Sequence, residues 1–169
     1  MRHVVFLHGM ESGPDGFKIR VLAEVARRAD AEVLAPDFRF SRDPRDRLAH
    51  LRQVLADLPE PVVLVGSSLG GFVAAAAAEA MPERIAGLFL LCPAFDLPGY
   101  PLSRPDQPLR GRQVHLVHGR HDEIVPLENS LRAAAAWQCA LTVLEGDHGL
   151  HASVDEIGEL LSAFLARSG

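Results

Sequence analysis

The 169-residue chain lacks the cysteines that a disulfide framework requires. Its two cysteines are Cys92, which ends an apolar run, and Cys139, which follows an alanine-rich stretch, so we interpret both as small buried residues in a reducing compartment. No stretch reaches the roughly 18 apolar residues of a membrane span. The first apolar run, residues 4–7, is too short for the apolar core of a signal peptide. We therefore expect a cytoplasmic location and no membrane partner.

The chain also lacks an excess of positive charge, since its formal net charge is −5. This balance argues against nucleic acid or an anionic membrane as the main partner. Four arginines lie close together among aspartates, which predicts an exposed surface whose charges pair with one another. These are Arg39, Arg42, Arg45 and Arg47.

Internal repeats, low-complexity tracts and linkers are absent as well, so we predict a single domain over residues 1–169. Hydrophobic residues make up 48% of the chain, and 14 glycines and 12 prolines punctuate it, which is typical of a compact α/β protein. Short apolar runs predict strands at residues 3–7, 31–34, 62–65, 85–91, 114–118 and 141–144. Helical spacing predicts helices at residues 18–28, 47–58, 130–137 and 153–166, and another that begins near Leu69 and contains the alanines of 74–78. This alternation indicates parallel βαβ units.

The clearest chemical motif is Gly66-Ser67-Ser68-Leu69-Gly70, which lies between a buried strand and a helix. It matches the pattern G-x-S-x-G of a nucleophile elbow, with Ser68 as the central serine. The small residues two before and two after that serine let strand and helix approach each other. The motif predicts a nucleophilic hydroxyl at the start of a helix, where free N–H groups favour developing negative charge.

A serine nucleophile needs a base and a carboxylate that orients the base. Asp122 follows the fifth predicted strand and His148 follows the sixth, so we predict these two as the acid and the base. Asp96, just past the fourth strand, remains an alternative acid, and His151 remains an alternative base.

The intermediate of acyl transfer also needs hydrogen-bond donors for its oxyanion. The N–H of Leu69, directly after the nucleophile, is the first predicted donor. The second is expected in the loop after the first strand, where we choose the N–H of Met10, with Glu11 as the reserve.

In the sequence alone, three histidines near the fifth strand resemble a set of metal ligands: His115, His118 and His121. Residues three apart on a strand point to opposite faces, so His115 and His118 would share no ligand face. We therefore expect no metal and no other cofactor.

Together these stretches resemble the α/β-hydrolase superfamily, and within it the small bacterial serine esterases of the YqiA-like kind. The resemblance rests on LHGMESGP at 7–14, GSSLGG at 66–71, HGRHDEIVP at 118–126 and GDHGLH at 146–151. It implies a compact three-layer α/β sandwich of about six parallel strands with helices on both faces. It also implies the roles already given to Ser68, Asp122 and His148, and to the N–H groups of Met10 and Leu69. Residues 93–111 leave no room for a helical lid, so a short cap loop is expected there.

We predict a serine hydrolase that cleaves small carboxylic esters through an acyl-enzyme, as a monomer or homodimer. Phe95, Leu97 and Tyr100 lie next to the motifs and are expected to line a small acyl pocket. Thioester cleavage or another acyl transfer stays open, because the same triad serves those reactions. The alternative from a different class is a non-catalytic binding protein with the hydrolase fold.

Overall fold

Strands and helices alternate along the computed structural model, which describes residues 2–100 and 113–168. Within those residues the strands are β1 Arg2–Leu7, β2 Ala31–Leu34, β3 Val62–Ser67, β4 Ile85–Leu91, β5 Gln113–Gly119 and β6 Ala140–Leu144. The α-helices are α1 Phe17–Arg28, α2 Pro44–Ala56, α3 Leu69–Ala80, α4 Leu127–Trp137 and α5 Val154–Arg167. Two short 3₁₀ turns, Pro82–Arg84 and His151–Ser153, precede β4 and α5.

The six strands form one parallel sheet in the order β2-β1-β3-β4-β5-β6. The chain moves outward from β1 to β2 and then continues on the other side from β3, so the strand order reverses between β1 and β3. In open α/β sheets, ligands bind beyond the carboxyl ends of the strands at such a reversal. The turn that contains Ser68 leaves β3 at this point.

Helices cover both faces of the sheet, because the side chains of each strand alternate between them. Val4 and Phe6 of β1 belong to the core cluster that contains residues of α1 and α5, whereas Val5 and Leu7 belong to the cluster that contains residues of α2, α3 and α4. The alanines of α3 let that helix lie close against β3, and most of its residues are buried. The predicted three-layer sandwich of about six parallel strands is confirmed.

Helix α2 begins three residues before its predicted start. The carboxylate of Asp43 accepts a hydrogen bond from the Arg45 N–H, and Pro44 occupies the first helical position. Both features favour a helix start, since proline there loses no intrahelical bond. The hydrophobic spacing alone could not reveal this first turn, because its residues are polar.

The predicted cap loop at 93–111 is described only as far as Tyr100, and up to there it contains no helix or strand. Its remainder lies outside the described residues. In the part of the chain that the structure describes, none of the helices has both the length and the apolar character needed to cross a membrane.

Candidate active site

The elbow holds the backbone of Ser68 in a conformation that residues other than glycine rarely adopt, with φ 55° and ψ −116°. Its N–H donates to the Leu91 carbonyl at 3.0 Å, which continues the pairing of β3 with β4 past the end of the strand. A Cβ on Gly66 would lie 2.5 Å from the Gly70 carbonyl oxygen, and one on Gly70 would lie 2.6 Å from the Leu7 carbonyl carbon. Both positions therefore require glycine, and the strained serine is held by the packing around it.

Three side chains from three different loops form a continuous hydrogen-bonded row. His148 Nε2 lies 2.9 Å from Ser68 Oγ, and His148 Nδ1 lies 2.7 Å from Asp122 Oδ2. Because a carboxylate can only accept, Nδ1–H donates to Asp122 and leaves Nε2 free to accept the serine proton. The row has the geometry of a nucleophile, a base and an orienting acid.

The side chain of Asp122 is buried, and both of its carboxylate oxygens accept hydrogen bonds. Oδ1 accepts from the N–H groups of Ile124 and Val125, both at 2.8 Å, while Oδ2 accepts from His148. Burial opposes ionisation, but these hydrogen bonds outweigh it and hold the pKa of Asp122 below its ordinary value. The carboxylate is thus charged at neutral pH and can stabilise a protonated His148.

The two alternatives left open by the sequence do not join this row. The carboxylate of Asp96 accepts from Arg132 at 3.1 Å and is half-exposed. His151 lines the same cavity as Ser68, but its exposed ring packs edge-on against Phe17. Of the candidate acids and bases, only Asp122 and His148 form the hydrogen-bonded row.

The N–H groups of Met10 and Leu69 are the two predicted donors to an oxyanion. Neither donates a hydrogen bond to another residue within 2–100 or 113–168. Leu69 begins α3, so its N–H is one of the free donors of a helix start. The reserve residue, Glu11, pairs with Arg42 at 3.5 Å, and its carboxylate is mostly exposed.

A cavity of about 560 Å³ opens over Ser68. Met10, Leu97 and Tyr100 line it, and its apolar wall is completed by residues such as Leu69, Ala94 and Val125. Two larger grooves, one between α1 and α5 and one beside α2 and α3, contain none of the residues of the hydrogen-bonded row.

Phe95 does not line this cavity, which corrects the expectation from its position in the sequence. Its side chain is 2% exposed and packs edge-on against the Trp137 ring at 5.2 Å. Its carbonyl accepts from Asn129 Nδ2 at 2.8 Å, so the residue belongs to the core beneath the site.

Comparison with known proteins places this chain in a family. The sequence model described as "Alpha/beta hydrolase family" matches residues 4–111, more than half of the chain. The chain belongs to the alpha/beta hydrolase family. No curated protein matches the chain in sequence. The narrower likeness to YqiA-like esterases stays a prediction.

Solved structures share the fold of this chain. A protein from Xanthomonas campestris pv. campestris, described as a hydrolase of the alpha/beta superfamily, is 31% identical, with 99% of each chain covered and a TM-score of 0.88. Est1E from Butyrivibrio proteoclasticus, solved with ferulic acid, shares the fold at 18% identity, with 99% of this chain and 89% of that chain covered and a TM-score of 0.83. A monoacylglycerol lipase from Paleococcus ferrophilus shares it at 18% identity, with 99% and 95% covered and a TM-score of 0.80.

In this hydrolase, a buried arginine and a buried histidine support the loop that carries Met10. Arg47 is 1% exposed and donates to the His8 carbonyl at 3.0 Å. His8 Nε2 accepts from the Phe38 N–H at 2.9 Å, so its Nδ1–H donates to the Gly9 carbonyl at 2.8 Å. Burial lowers the pKa of His8, which keeps the ring neutral in this arrangement.

Arg47 also corrects the prediction for the arginine cluster. Arg39, Arg42 and Arg45 are exposed and pair with carboxylates, as expected. Arg47 instead packs inside, and its position four residues before the buried Leu51 is the signal that would have revealed it.

Sequence reasoning also missed Lys18 in the cavity wall of the hydrolase. Its Nζ donates to Ser67 Oγ at 3.1 Å, and Ser67 directly precedes Ser68 in sequence. Burial lowers the pKa of this ammonium group. The available signal was its rarity, since Lys18 is the single lysine among 17 basic residues.

The three histidines that resembled a metal cluster have separate surroundings. His115 bonds to Thr142 at 2.8 Å, His118 bonds to Ser130 on the opposite face at 2.7 Å, and exposed His121 bonds to Glu145.

A different trio, Cys92, His118 and Asp122, brings potential ligand atoms within 4.8 Å of one another. Burial raises the pKa of the Cys92 thiol to about 12, and both ring nitrogens of His118 already have hydrogen-bond partners. Metal ligation requires a thiolate and a free ring nitrogen, so the trio is poorly suited to hold a metal.

Proposed function

We propose that this chain is a serine hydrolase that cleaves small carboxylic esters through an acyl-enzyme intermediate. The observation that carries the proposal is the hydrogen-bonded row from Ser68 through His148 to Asp122 at a strained elbow. A serine that served only as a helix cap would need neither the imidazole nor the buried carboxylate.

In the first half of the reaction, Ser68 Oγ attacks the ester carbonyl carbon while His148 Nε2 takes the hydroxyl proton. Asp122 accepts from Nδ1–H throughout and stabilises the imidazolium that forms. The carbonyl oxygen becomes an oxyanion, and the N–H groups of Met10 and Leu69 donate to it. Loss of either donor would cost about 3 kcal/mol of transition-state stabilisation.

The tetrahedral intermediate then collapses. The bond to the leaving alcohol oxygen breaks, and His148 returns its proton to that oxygen, which leaves the acyl group on Ser68. In the second half, water replaces the alcohol: His148 removes its proton, the hydroxide attacks the acyl carbon, and Ser68 regains the proton as the carboxylic acid departs.

The size of the proposed substrate follows from the cavity. A volume of about 560 Å³, with apolar walls that include Leu97 and Tyr100, suits a small acyl group. A small-molecule ester is accordingly the proposed partner, with no nucleic acid and no membrane involved. Two free thiols, Cys92 and Cys139, accord with the proposed cytoplasmic location.

The test is turnover of p-nitrophenyl acetate, butyrate and octanoate beside a matched butyryl thioester. We expect the wild type to prefer the short oxygen esters and Ser68→Ala to lose activity on them. Ser162→Ala, on the exposed side of α5, is the matched control and should retain activity.

A higher kcat/KM for the thioester would replace the ester assignment with thioester cleavage. No turnover of either class by folded wild type would favour the non-catalytic binding protein.

A further inference from the structure

The cavity wall contains a cation that the acyl-transfer mechanism does not use. Lys18 is the second residue of α1, and its side chain reaches the floor of the site, where Nζ donates to Ser67 Oγ at 3.1 Å. Ser67 is bonded to the nucleophilic residue, so the ammonium group lies beside the reacting centre. Ile19 and Leu22 of the same helix also line the cavity.

The charge of Lys18 has no direct counter-ion among the residues that the structure describes. Asp122 and Asp147 attract the ammonium group from a distance, without forming an ion pair with it. Asp122 is occupied by His148 and backbone N–H groups, and Asp147 Oδ1 accepts from the Leu150 N–H at 3.1 Å. Glu11, which also lines the cavity, pairs with Arg42.

An ammonium group has three donors, and only the Ser67 hydroxyl is a partner for Lys18 within the described chain. Partial burial of a charge without a counter-ion costs free energy, and the lowered pKa of Lys18 reflects that cost. A shorter apolar side chain at this position would avoid that cost. The cation is therefore explained best by an anion that enters with the substrate.

We propose that Lys18 is a specificity-determining residue that binds a free carboxylate on the substrate, so that the preferred esters are monoesters of short dicarboxylic acids. This inference rests on the proposed ester hydrolysis and names the substrate class for the same site. One ammonium group matches one carboxylate in charge, and the Ser67 hydroxyl can accept from Lys18 while it donates to the ligand.

The spacer between the two carbonyl groups of such a substrate must be short. Adjacent Cα atoms are about 3.8 Å apart, and Lys18 binds the residue next to Ser68. A carboxylate held by Lys18 therefore lies within a few carbon atoms of an ester carbonyl at Ser68. Monoesters of succinate, glutarate and adipate sample this range.

The kinetic test compares p-nitrophenyl hemiglutarate with p-nitrophenyl butyrate. We expect kcat/KM of the wild type to favour the hemiglutarate about tenfold or more, the size of a charge-assisted hydrogen bond. Lys18→Met should abolish that ratio, mainly by raising KM for the anionic ester, and Lys18→Arg should restore much of it. Arg20→Met, an exposed change on the same helix, should keep the ratio.

An unchanged ratio in Lys18→Met would overturn the proposal, because a merely structural lysine would lower both activities together. A shift in the pH profile of butyrate hydrolysis, with no change in the ratio, would assign Lys18 to the triad instead. A wild type that hydrolyses both esters without favouring the anionic one would likewise refute it.

A binding measurement separates this proposal from the proposed function. In the Ser68→Ala background, NMR titration should show monomethyl glutarate binding about tenfold more tightly than dimethyl glutarate, and the added Lys18→Met change should remove the difference. That result together with no ester turnover by wild type would leave the carboxylate site standing and reject the hydrolase. Ester turnover by wild type without any difference in binding would support the hydrolase and reject the carboxylate site.

Discussion

Replacement of Gly70 by alanine tests the elbow most severely. The new Cβ would lie 2.6 Å from the Leu7 carbonyl carbon and 2.8 Å from the His8 carbonyl oxygen. Non-bonded heavy atoms prefer about 3.5 Å or more, so α3 and β1 would have to separate by about 1 Å. β1 pairs with β2 on one side and with β3 on the other, and cannot move alone.

We expect Gly70→Ala to lower the free energy of unfolding by about 3 kcal/mol, as overpacking of a rigid core does. For a domain of this length the corresponding fall in Tm is about 9 °C. A displacement of Ser68 Oγ by about 1 Å would also lower kcat about 100-fold. Urea denaturation, calorimetry and ester turnover measure these three effects.

Gly158→Ala is the matched control, because its Cβ would meet only the tip of Val25 at 3.3 Å. It should unfold within about 1 kcal/mol of wild type, since alanine is also the better helix former. Gly70→Ala with the stability of this control and the kcat of wild type would refute the reasoning about the elbow.

Three further outcomes follow from the site. Asp122→Asn should lower kcat by about 10⁴ with little change in KM, because the asparagine amide cannot hold the required tautomer of His148; a loss below tenfold would contradict the row. Arg47→Met leaves the His8 carbonyl without its donor and should lower the free energy of unfolding by about 1–3 kcal/mol. An unchanged free energy of unfolding would show that the contact is incidental. In the folded protein the pKa of His8 is lowered. Its contribution to stability is therefore complete above the ordinary pKa of 6.5 and is lost as pH falls, because the unfolded chain takes up the proton more readily. His8→Gln should therefore flatten the loss of stability measured from pH 7.5 to 5.5, and an equal slope in both proteins would count against it.

The row of Ser68, His148 and Asp122 could be predicted because each residue lies in the loop or turn that follows a strand. Carboxyl ends of parallel strands meet at one edge of a sheet, so the sequence order of short motifs was enough to bring them together. The match to the alpha/beta hydrolase family over residues 4–111 and the six-stranded sheet support the predicted fold. The fold was predictable for the same reason, since alternating apolar runs leave few arrangements other than parallel βαβ units.

Residues that support the site were harder to predict, because adjacency in sequence does not determine where a side chain points. In sequence, Phe95 lies next to the motifs of the site. The chain turns at Asp96, where φ is 55°, and the ring of Phe95 is buried in the core. Arg47 looked like one of four surface arginines until its helical spacing with Leu51 is considered. No local pattern in the sequence predicts the position of Lys18, since its contact with Ser67 forms across the fold.

The most direct test of the central claim is labelling of the folded protein with a fluorophosphonate probe, followed by location of the adduct by peptide mass spectrometry. A nucleophilic serine activated by an imidazole attacks the phosphorus, whereas an ordinary serine does not. We predict one adduct at Ser68 in wild type and in Ser162→Ala, and none in His148→Ala. Folded wild type that stays unlabelled, or that is labelled at another residue, would contradict the account.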